Sequence, residues 1–252
     1  MLGELKDVFK TKKGVLIILS MLTIAISAYL NLITVKTLMF DKDPMNPDAF
    51  GVSFGTLFIS FLPMITSELM AECFGWKKGF VISSIAYTVC FIFTLIMWGS
   101  TYIPGLVFVG DNPFIATESY NLIFSASPII LISSAIAYYV GIFFNCYIMG
   151  KMKERAELTG DTKLKLFGRL LFSTLIGQTL DNFLFFVIPM FFSVWDFTYV
   201  WQQTLGALIF EIVYETLFFF LTAHLVKRIN NMPEGLTIIV DEETKEVKET
   251  LN

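Results

Sequence analysis

Residues 166–193 read LFGRLLFSTLIGQTLDNFLFFVIPMFFS, with only Arg169 and Asp181 charged. A helix rises 1.5 Å per residue, so roughly 20 such residues cross a hydrocarbon core about 30 Å thick, and this run reads as a transmembrane helix. Working outward, the same test finds five more apolar runs, near 14–35, 51–74, 79–99, 121–149 and 204–226. The first follows Lys10, Lys12 and Lys13 as a signal peptide would. Its core is too long for one, and no small-residue cleavage site follows Tyr29, so it is kept as a mature helix. Composition agrees: at 55% hydrophobic and 16% charged, with 27 Phe, a soluble domain would be too apolar on its surface.

Charge sorts between the runs. Lys6, Lys10, Lys12 and Lys13 precede the first; Lys77 and Lys78 lie between the second and third; Lys151, Lys153, Arg155, Lys163 and Lys165 lie between the fourth and fifth; Lys227 and Arg228 follow the sixth. The alternate segments hold only Lys36 and Lys42 against Asp41, Asp43, Asp48, Asp111, Glu118 and Asp196. Basic loops stay on the cytoplasmic side, so both termini are expected there. The expected fold is all-α, one six-helix bundle in the plasma membrane (the cell inner membrane) over 1–231, with a polar cytoplasmic tail over 232–252. Segments 36–50 and 100–120, rich in Pro, Asn, Asp and Gly, read as ordered loops or short interfacial pieces over the outer mouth. In the tail, Thr237 to Val240 alternates apolar with polar residues, which leaves two readings, a short strand or a disordered tail. Nothing marks an internal repeat or the oligomeric state.

Nucleic acid is excluded as a partner by the net charge of −4 and by the spread of basic residues over alternate loops. Cys73, Cys90 and Cys146 lie in apolar runs without CxxC spacing, which indicates helix packing rather than a disulfide or metal site. No cofactor is implied.

Five carboxylates interrupt the apolar runs. Each costs roughly 2.5 to 3.5 kcal/mol to insert, so intramembrane acids mark function by default. Glu68 and Glu72 are four apart, hence on one helix face; Glu211 and Glu215 repeat that spacing; Asp181 lies one turn beyond Gln178. Three helices thus direct acids toward one polar cavity, where Asn145 and Tyr147 would join them. Arg169 and His224 lie near the cytoplasmic ends, where they snorkel, so no basic residue is expected to neutralise these acids. Crowded unpaired acids suit proton coupling or a ligand rich in N–H groups.

Weaker patterns weigh less. Gly51-Val-Ser-Phe-Gly55 fits both GxSxG and GxxxG, but a nucleophile elbow needs a strand-turn-helix and a His partner, so helix packing or coincidence is the better reading. Phe183, Phe185, Phe186 and the Phe218 to Phe220 run serve packing or lipid contact more readily than ligand stacking. Pro63 and Pro189 interrupt the second and fifth runs, as kinks or with freed carbonyls lining a cavity.

Ser67-Glu-Leu-Met-Ala-Glu-Cys-Phe-Gly75, followed by Trp76-Lys-Lys-Gly79, resembles the queuosine precursor transporter family, also called the vitamin uptake transporter (VUT) family. There this helix end reads T-D-x-x-x-E-x-Y-G before basic residues; Glu72 and Gly75 match, Glu68 replaces Asp and Phe74 replaces Tyr. Arg169 with Ser173-Thr-Leu-Ile-Gly-Gln-Thr-Leu-Asp-Asn-Phe183 is similar to the family's R-x-x-x-S-T-x-x-x-Q-x-x-D-T-x-x-F helix, so Arg169, Ser173, Thr174, Gln178 and Asp181 carry over. Ala137 to Tyr147 resembles A-Y-x-x-x-Q-x-x-D-x-Y, with Ile142 for the Gln and Asn145 for the Asp. The last helix departs further: Glu211 stands where members often place Lys, and Glu215 follows a turn later.

The resemblance implies a transporter, not an enzyme, that imports a 7-deazaguanine-type nucleobase such as preQ0, preQ1 or queuine. A carboxylate accepts two parallel N–H bonds from the guanidine-like edge of such a planar nitrogen heterocycle, while an amide reads the adjacent carbonyl. Asp181 and Gln178 divide that work in this reading, Glu68 or Glu72 is a second anchor or proton site, and Asn145, Glu211, Glu215 and Arg169 complete the expected substrate set. The extra acids suggest a more cationic, aminomethylated ligand. No Walker motif is present, so energy comes from a gradient such as protons or from a separate energy-coupling module; in the latter case the chain is a substrate-binding subunit. An intramembrane enzyme is the rival class, but neither an intramembrane-protease motif nor metal-ligand spacing is present. A protein whose acids only glue helices is the bland reading.

Overall fold

Long apolar stretches with few interior breakers become long helices once packing satisfies one face and lipid the other. The structure, a computed structural model, describes residues 10–33, 37–39, 51–53, 61–105, 113–124, 128–194, 196–234, 236–240 and 247–251. In chain order the elements are α1 (Lys12–Ile33), β1 (Thr37–Met39), β2 (Gly51–Ser53), α2 (Phe61–Phe74), α3 (Trp76–Ser100), α4 (Pro113–Phe124), α5 (Pro128–Thr159), α6 (Lys163–Met190), α7 (Phe197–Asn230), β3 (Leu236–Val240) and β4 (Val247–Leu251). The strands form two antiparallel hairpins, β1 with β2 and β3 with β4.

Helices α3, α5, α6 and α7, of 25, 32, 28 and 34 residues, are long and apolar enough to cross a membrane. They expose apolar side chains such as Phe93, Ile96, Phe172, Ile209 and Phe220 along their outer faces, as a surface solvated by lipid does. The molecule is therefore a multi-pass membrane protein built on helices.

Two of the expected runs are organised differently. The run 51–74 is not one helix: Gly51–Ser53 is a strand paired with β1, and α2 is described over the 14 residues Phe61–Phe74, with residues 54–60 outside the described residues. Gly51 therefore does not belong to a GxxxG helix interface, and Gly55 lies outside the described residues. The run 121–149 is divided between α4 and α5, each opening on a proline, whose fixed φ and missing N–H suit a first helical turn. Most of the outer segment 36–50 and residues 106–112 of the other outer segment lie outside the described residues. Of the two readings of the tail around Thr237 to Val240, the strand is the one present, as β3.

Neither suspected proline interrupts a helix midway. Pro63 sits in the first turn of α2, and its carbonyl accepts the Thr66 hydroxyl at 2.9 Å. Pro189 is in the last turn of α6, where the Val194 amide returns to the Pro189 carbonyl at 3.1 Å and the Ser193 amide to that of Met190 at 2.9 Å, with Ser193 at φ 59°. That is a Schellman cap, which ends the helix.

α2 is the centre of the bundle: every residue from 64 to 72 is buried, including Thr66, Ser67, Glu68 and Glu72. One side packs with Leu19 of α1 and with Val226 and Ile229 of α7; Ala71, on the other, packs with Ile142, Cys146 and Met149 of α5 and Leu166 and Leu170 of α6. Gly75, at φ 94°, reverses the chain directly into α3, a conformation that costs other residues strain. The start of α1 meets the end of α7, where the Lys12 amide donates to the Pro233 carbonyl at 2.9 Å and the Lys12 ammonium pairs with Glu234 at 2.8 Å. Since the ends of α2 and α7 pack with the start of α1, Lys12, Lys153, Lys163, Arg169 and Lys227 share one end of the bundle.

The most extensive interhelix contact is α5 against α6. Gly141 and Gly177 meet there reciprocally: a Cβ on Gly141 would lie 2.9 Å from the Gly177 carbonyl oxygen and 2.7 Å from Asp181 Cβ, and one on Gly177 would lie 2.9 Å from the Gly141 carbonyl oxygen and 2.7 Å from Asn145 Cβ. The close backbone approach thus sets Asp181 and Asn145 beside the seam. Gly141→Ala and Gly177→Ala are each expected to lower the apparent melting temperature in detergent, at a cost of about 1 to 3 kcal/mol from overpacking. Gly168→Ala, with nothing within 4 Å of the added methyl, should leave it unchanged or raise it.

Candidate functional site

A carboxylate inside a bilayer needs a cation, a donor or a proton. Glu72 has the first. The buried Arg169 guanidinium binds it with two bonds, Nε to Oε2 at 2.9 Å and Nη2 to Oε1 at 2.6 Å. The other edge of the fork reaches Asp161, with Nη1 to Oδ1 at 2.8 Å and Nη2 to Oδ2 at 2.9 Å. Lys153 of α5 adds a bond to the Glu72 backbone carbonyl and stands 4.0 Å from its Oε1. The end of α2, the end of α5 and the start of α6 are thereby clasped by one guanidinium. The expectation that no basic residue neutralises the acids is corrected here: Arg169 does not snorkel outward but turns in, because Glu72 matches its bidentate geometry. Asp161, in the α5–α6 turn, is held below the usual carboxylate range by its hydrogen bonds to Arg169.

One turn deeper, Glu68 has no cation among the described residues. Its Oε1 accepts the Thr174 hydroxyl of α6, and its Oε2 has no hydrogen-bond donor among the described residues. Glu215 of α7 reaches the same level, close enough for the two carboxyl groups to share a hydrogen bond if one carries a proton. As carboxylates both only accept, and both oxygens of Glu215 are buried without a donor among the described residues. Asn145 of α5 is also buried, with its Oδ1 unpaired.

Further from the basic end, α6 and α7 present a second group. Asn182 Nδ2 donates to both oxygens of the buried Glu211, each at 3.2 Å. Asp181 and Gln178 have no hydrogen bond or ion pair among the described residues, and both keep accessible surface although Asp181 is densely surrounded by protein. Asp181 neighbours Tyr87 of α3 and Tyr138 of α5, whose rings stack at 4.1 Å between centroids; Ser134 hydrogen-bonds the Tyr87 hydroxyl at 2.7 Å.

The eight residues expected at the site thus fall into three levels: Glu72 and Arg169 in the clasp, Glu68, Glu215 and Asn145 in the middle, and Asp181, Gln178 and Glu211 beyond. Tyr147 does not join them; it is part-exposed and its ring lies against Trp76 and Phe143, at 5.4 and 5.7 Å. Asp161, Lys153, Asn182 and the Tyr87–Tyr138 stack were not singled out from sequence. Asn182 is adjacent to Asp181 and could have been noticed; nothing in a single sequence pairs Asp161 with Arg169.

The family model described as "Putative vitamin uptake transporter" matches residues 53–225, well over half of the chain. The chain belongs to this family. The match begins at the end of β2 and runs to within two turns of the end of α7, so it takes in all three polar levels of this vitamin uptake transporter family member. Neither curated proteins nor solved structures return a match.

Removing one partner of a buried ion pair leaves an uncompensated charge, at a cost of about 3 to 5 kcal/mol. Arg169→Gln and Glu72→Gln should therefore each lower the apparent melting temperature strongly, and the double variant should lose less than the sum, as a double-mutant cycle in detergent would read. For Asp161 the sign follows from its depressed value: the pair's contribution is complete above about pH 4, the ordinary carboxylate range, and is lost only as pH falls through the lower folded-state value. Stability of Asp161→Asn should accordingly converge with wild type in strong acid.

Proposed function

We propose that the protein imports a flat, donor-rich nitrogen heterocycle of the 7-deazaguanine type, such as a queuosine precursor, and that Asp181 is its principal anchor. The observation that carries the proposal is Asp181 itself: an intramembrane acid surrounded by protein, still accessible, and without any hydrogen bond or ion pair among the described residues. A membrane protein retains such a group when a ligand completes it. Gln178, one turn away and equally unpaired, supplies an amide for the ligand's carbonyl edge, and the stacked Tyr87 and Tyr138 rings offer an aromatic wall. Asn182 holds Glu211 in place as a second acceptor, which favours a ligand with an additional amino group over a purely neutral one.

Glu72 and Arg169 are left out of the ligand set, because they saturate one another. The proposal keeps six crossings in the plasma membrane, with α1 and the segment ending in α2 supplying two besides α3, α5, α6 and α7. The basic end, where α1 begins and α7 ends, faces the cytoplasm. Import as a subunit of an energy-coupling module is the second reading, favoured by the absence of any nucleotide-binding motif in the sequence.

Thermal stabilisation of the purified protein by a panel of nucleobases, 7-deazaguanines and water-soluble vitamins tests this directly, since a ligand of the folded state raises its melting temperature. A 7-deazaguanine is expected to give the largest shift, Asp181→Asn to abolish it without unfolding the protein, and Gln178→Ala to weaken it by about 1 to 3 kcal/mol. A full shift retained in Asp181→Asn would refute the assignment; a shift with a vitamin alone would rename the cargo.

A further inference from the structure

Glu68 and Glu215 are buried to 1% exposure on facing helices, and the described residues place no cation against either carboxyl group. The groups around them can be enumerated. From α2 itself comes Glu72, already held by Arg169 and Lys153; from α6 comes the Thr174 hydroxyl, which donates to Glu68 Oε1; from α5 come Cys146, a titratable neighbour of Glu68, and the unpaired Oδ1 of Asn145, a residue packed on Gly177 one turn from Thr174. Every oxygen left over at this level is an acceptor: Glu68 Oε2, both oxygens of Glu215 and Asn145 Oδ1. Among the described residues none of these four acceptors receives a hydrogen bond, and the Thr174 hydroxyl is already committed to Glu68 Oε1, so the level is short of hydrogen, not of oxygen.

We propose that this level is a proton-binding site separate from the ligand site, in which Glu68 and Glu215 share one transported proton that couples import to the proton gradient. A proton on either carboxyl group converts it into a donor toward the other and removes one of two like charges placed side by side. A sodium ion would also answer the charge, and the sodium-gradient arm of the transport experiment below distinguishes it from a proton. The position fits the role: Glu215 is one turn from Glu211 on α7, and Glu68 one turn from Glu72 on α2, so the pair lies between the proposed ligand level and the basic end that the clasp closes. Proton uptake on Glu215 therefore adjoins the ligand through one turn of α7, and proton release adjoins the clasp through one turn of α2.

The transport role rests on the import reading above; proton binding does not, and the test separates them. In ligand-free protein, infrared spectroscopy should show the carbonyl band of a protonated, buried carboxylic acid that is diminished in both Glu68→Gln and Glu215→Gln. Spectra identical to wild type in both folded variants would overturn the proposal whatever the substrate is. In proteoliposomes loaded with no substrate and clamped at zero membrane potential, a one-unit inward proton gradient should concentrate neutral 7-cyano-7-deazaguanine up to roughly tenfold per coupled proton. Glu215→Gln should let the same tracer reach only equal concentrations on both sides. Accumulation driven by a sodium gradient at equal pH, or gradient-driven accumulation retained in Glu215→Gln, would overturn the coupling role.

Discussion

Ionised carboxylates have no place in a hydrocarbon phase unless something meets them, and the arrangement of α2, α5, α6 and α7 follows from how each acid is met. At the basic end the answer is a second charge. Arg169 spends its planar fork on Glu72 along one edge and on Asp161 along the other, and Lys153 closes over the Glu72 carbonyl. Because these residues come from α2, α5, α6 and the turn between α5 and α6, the clasp fixes the axial position of those helices against one another. α2 can bury residues 64 to 72 because it is tied at this end and continues through Gly75 into α3.

The register set by the clasp propagates along the α5–α6 seam. Gly141 and Gly177 bring the two backbones together, and the side chains that flank them, Asp181 and Asn145, are the ones the deeper levels use. Going away from the basic end, acids without full partners appear among the described residues: Glu72 is saturated, Glu68 keeps one donor, Glu215 has none and Asp181 is unpaired but accessible, while Glu211 is held by Asn182. A protein that used its acids only to glue helices would pair them throughout. A saturated acid at the basic end and unsatisfied acids in the interior are what a chain needs if one end must hold and the interior must bind and release.

Much of this was legible in the sequence. The apolar runs announced the membrane helices, the four-residue spacing of Glu68 with Glu72 and of Glu211 with Glu215 put each pair on one face, and the motif ending at Gly75 together with the Arg169 to Phe183 segment marked the family. The parts that were not legible depend on three-dimensional pairing. Apolar composition does not show that a run begins in a strand, as 51–74 does at Gly51–Ser53 before the helix Phe61–Phe74. The position of Arg169 near the end of its run suggested snorkelling, and only the approach of Glu72 from α2 turns it inward. Likewise nothing in sequence spacing separates a saturated acid from an unsatisfied one, which is the distinction on which the division of the site into three levels depends.

The central claim is that the unpaired acid on α6 is completed by a ligand. An electron cryomicroscopy structure of the protein saturated with a 7-deazaguanine, held by an antibody fragment to provide mass, tests it most directly. The account predicts ligand density against Asp181 and Gln178 beside the Tyr87–Tyr138 stack, with the Arg169–Glu72 clasp intact; density elsewhere, with Asp181 paired to a protein cation or donor, would contradict it.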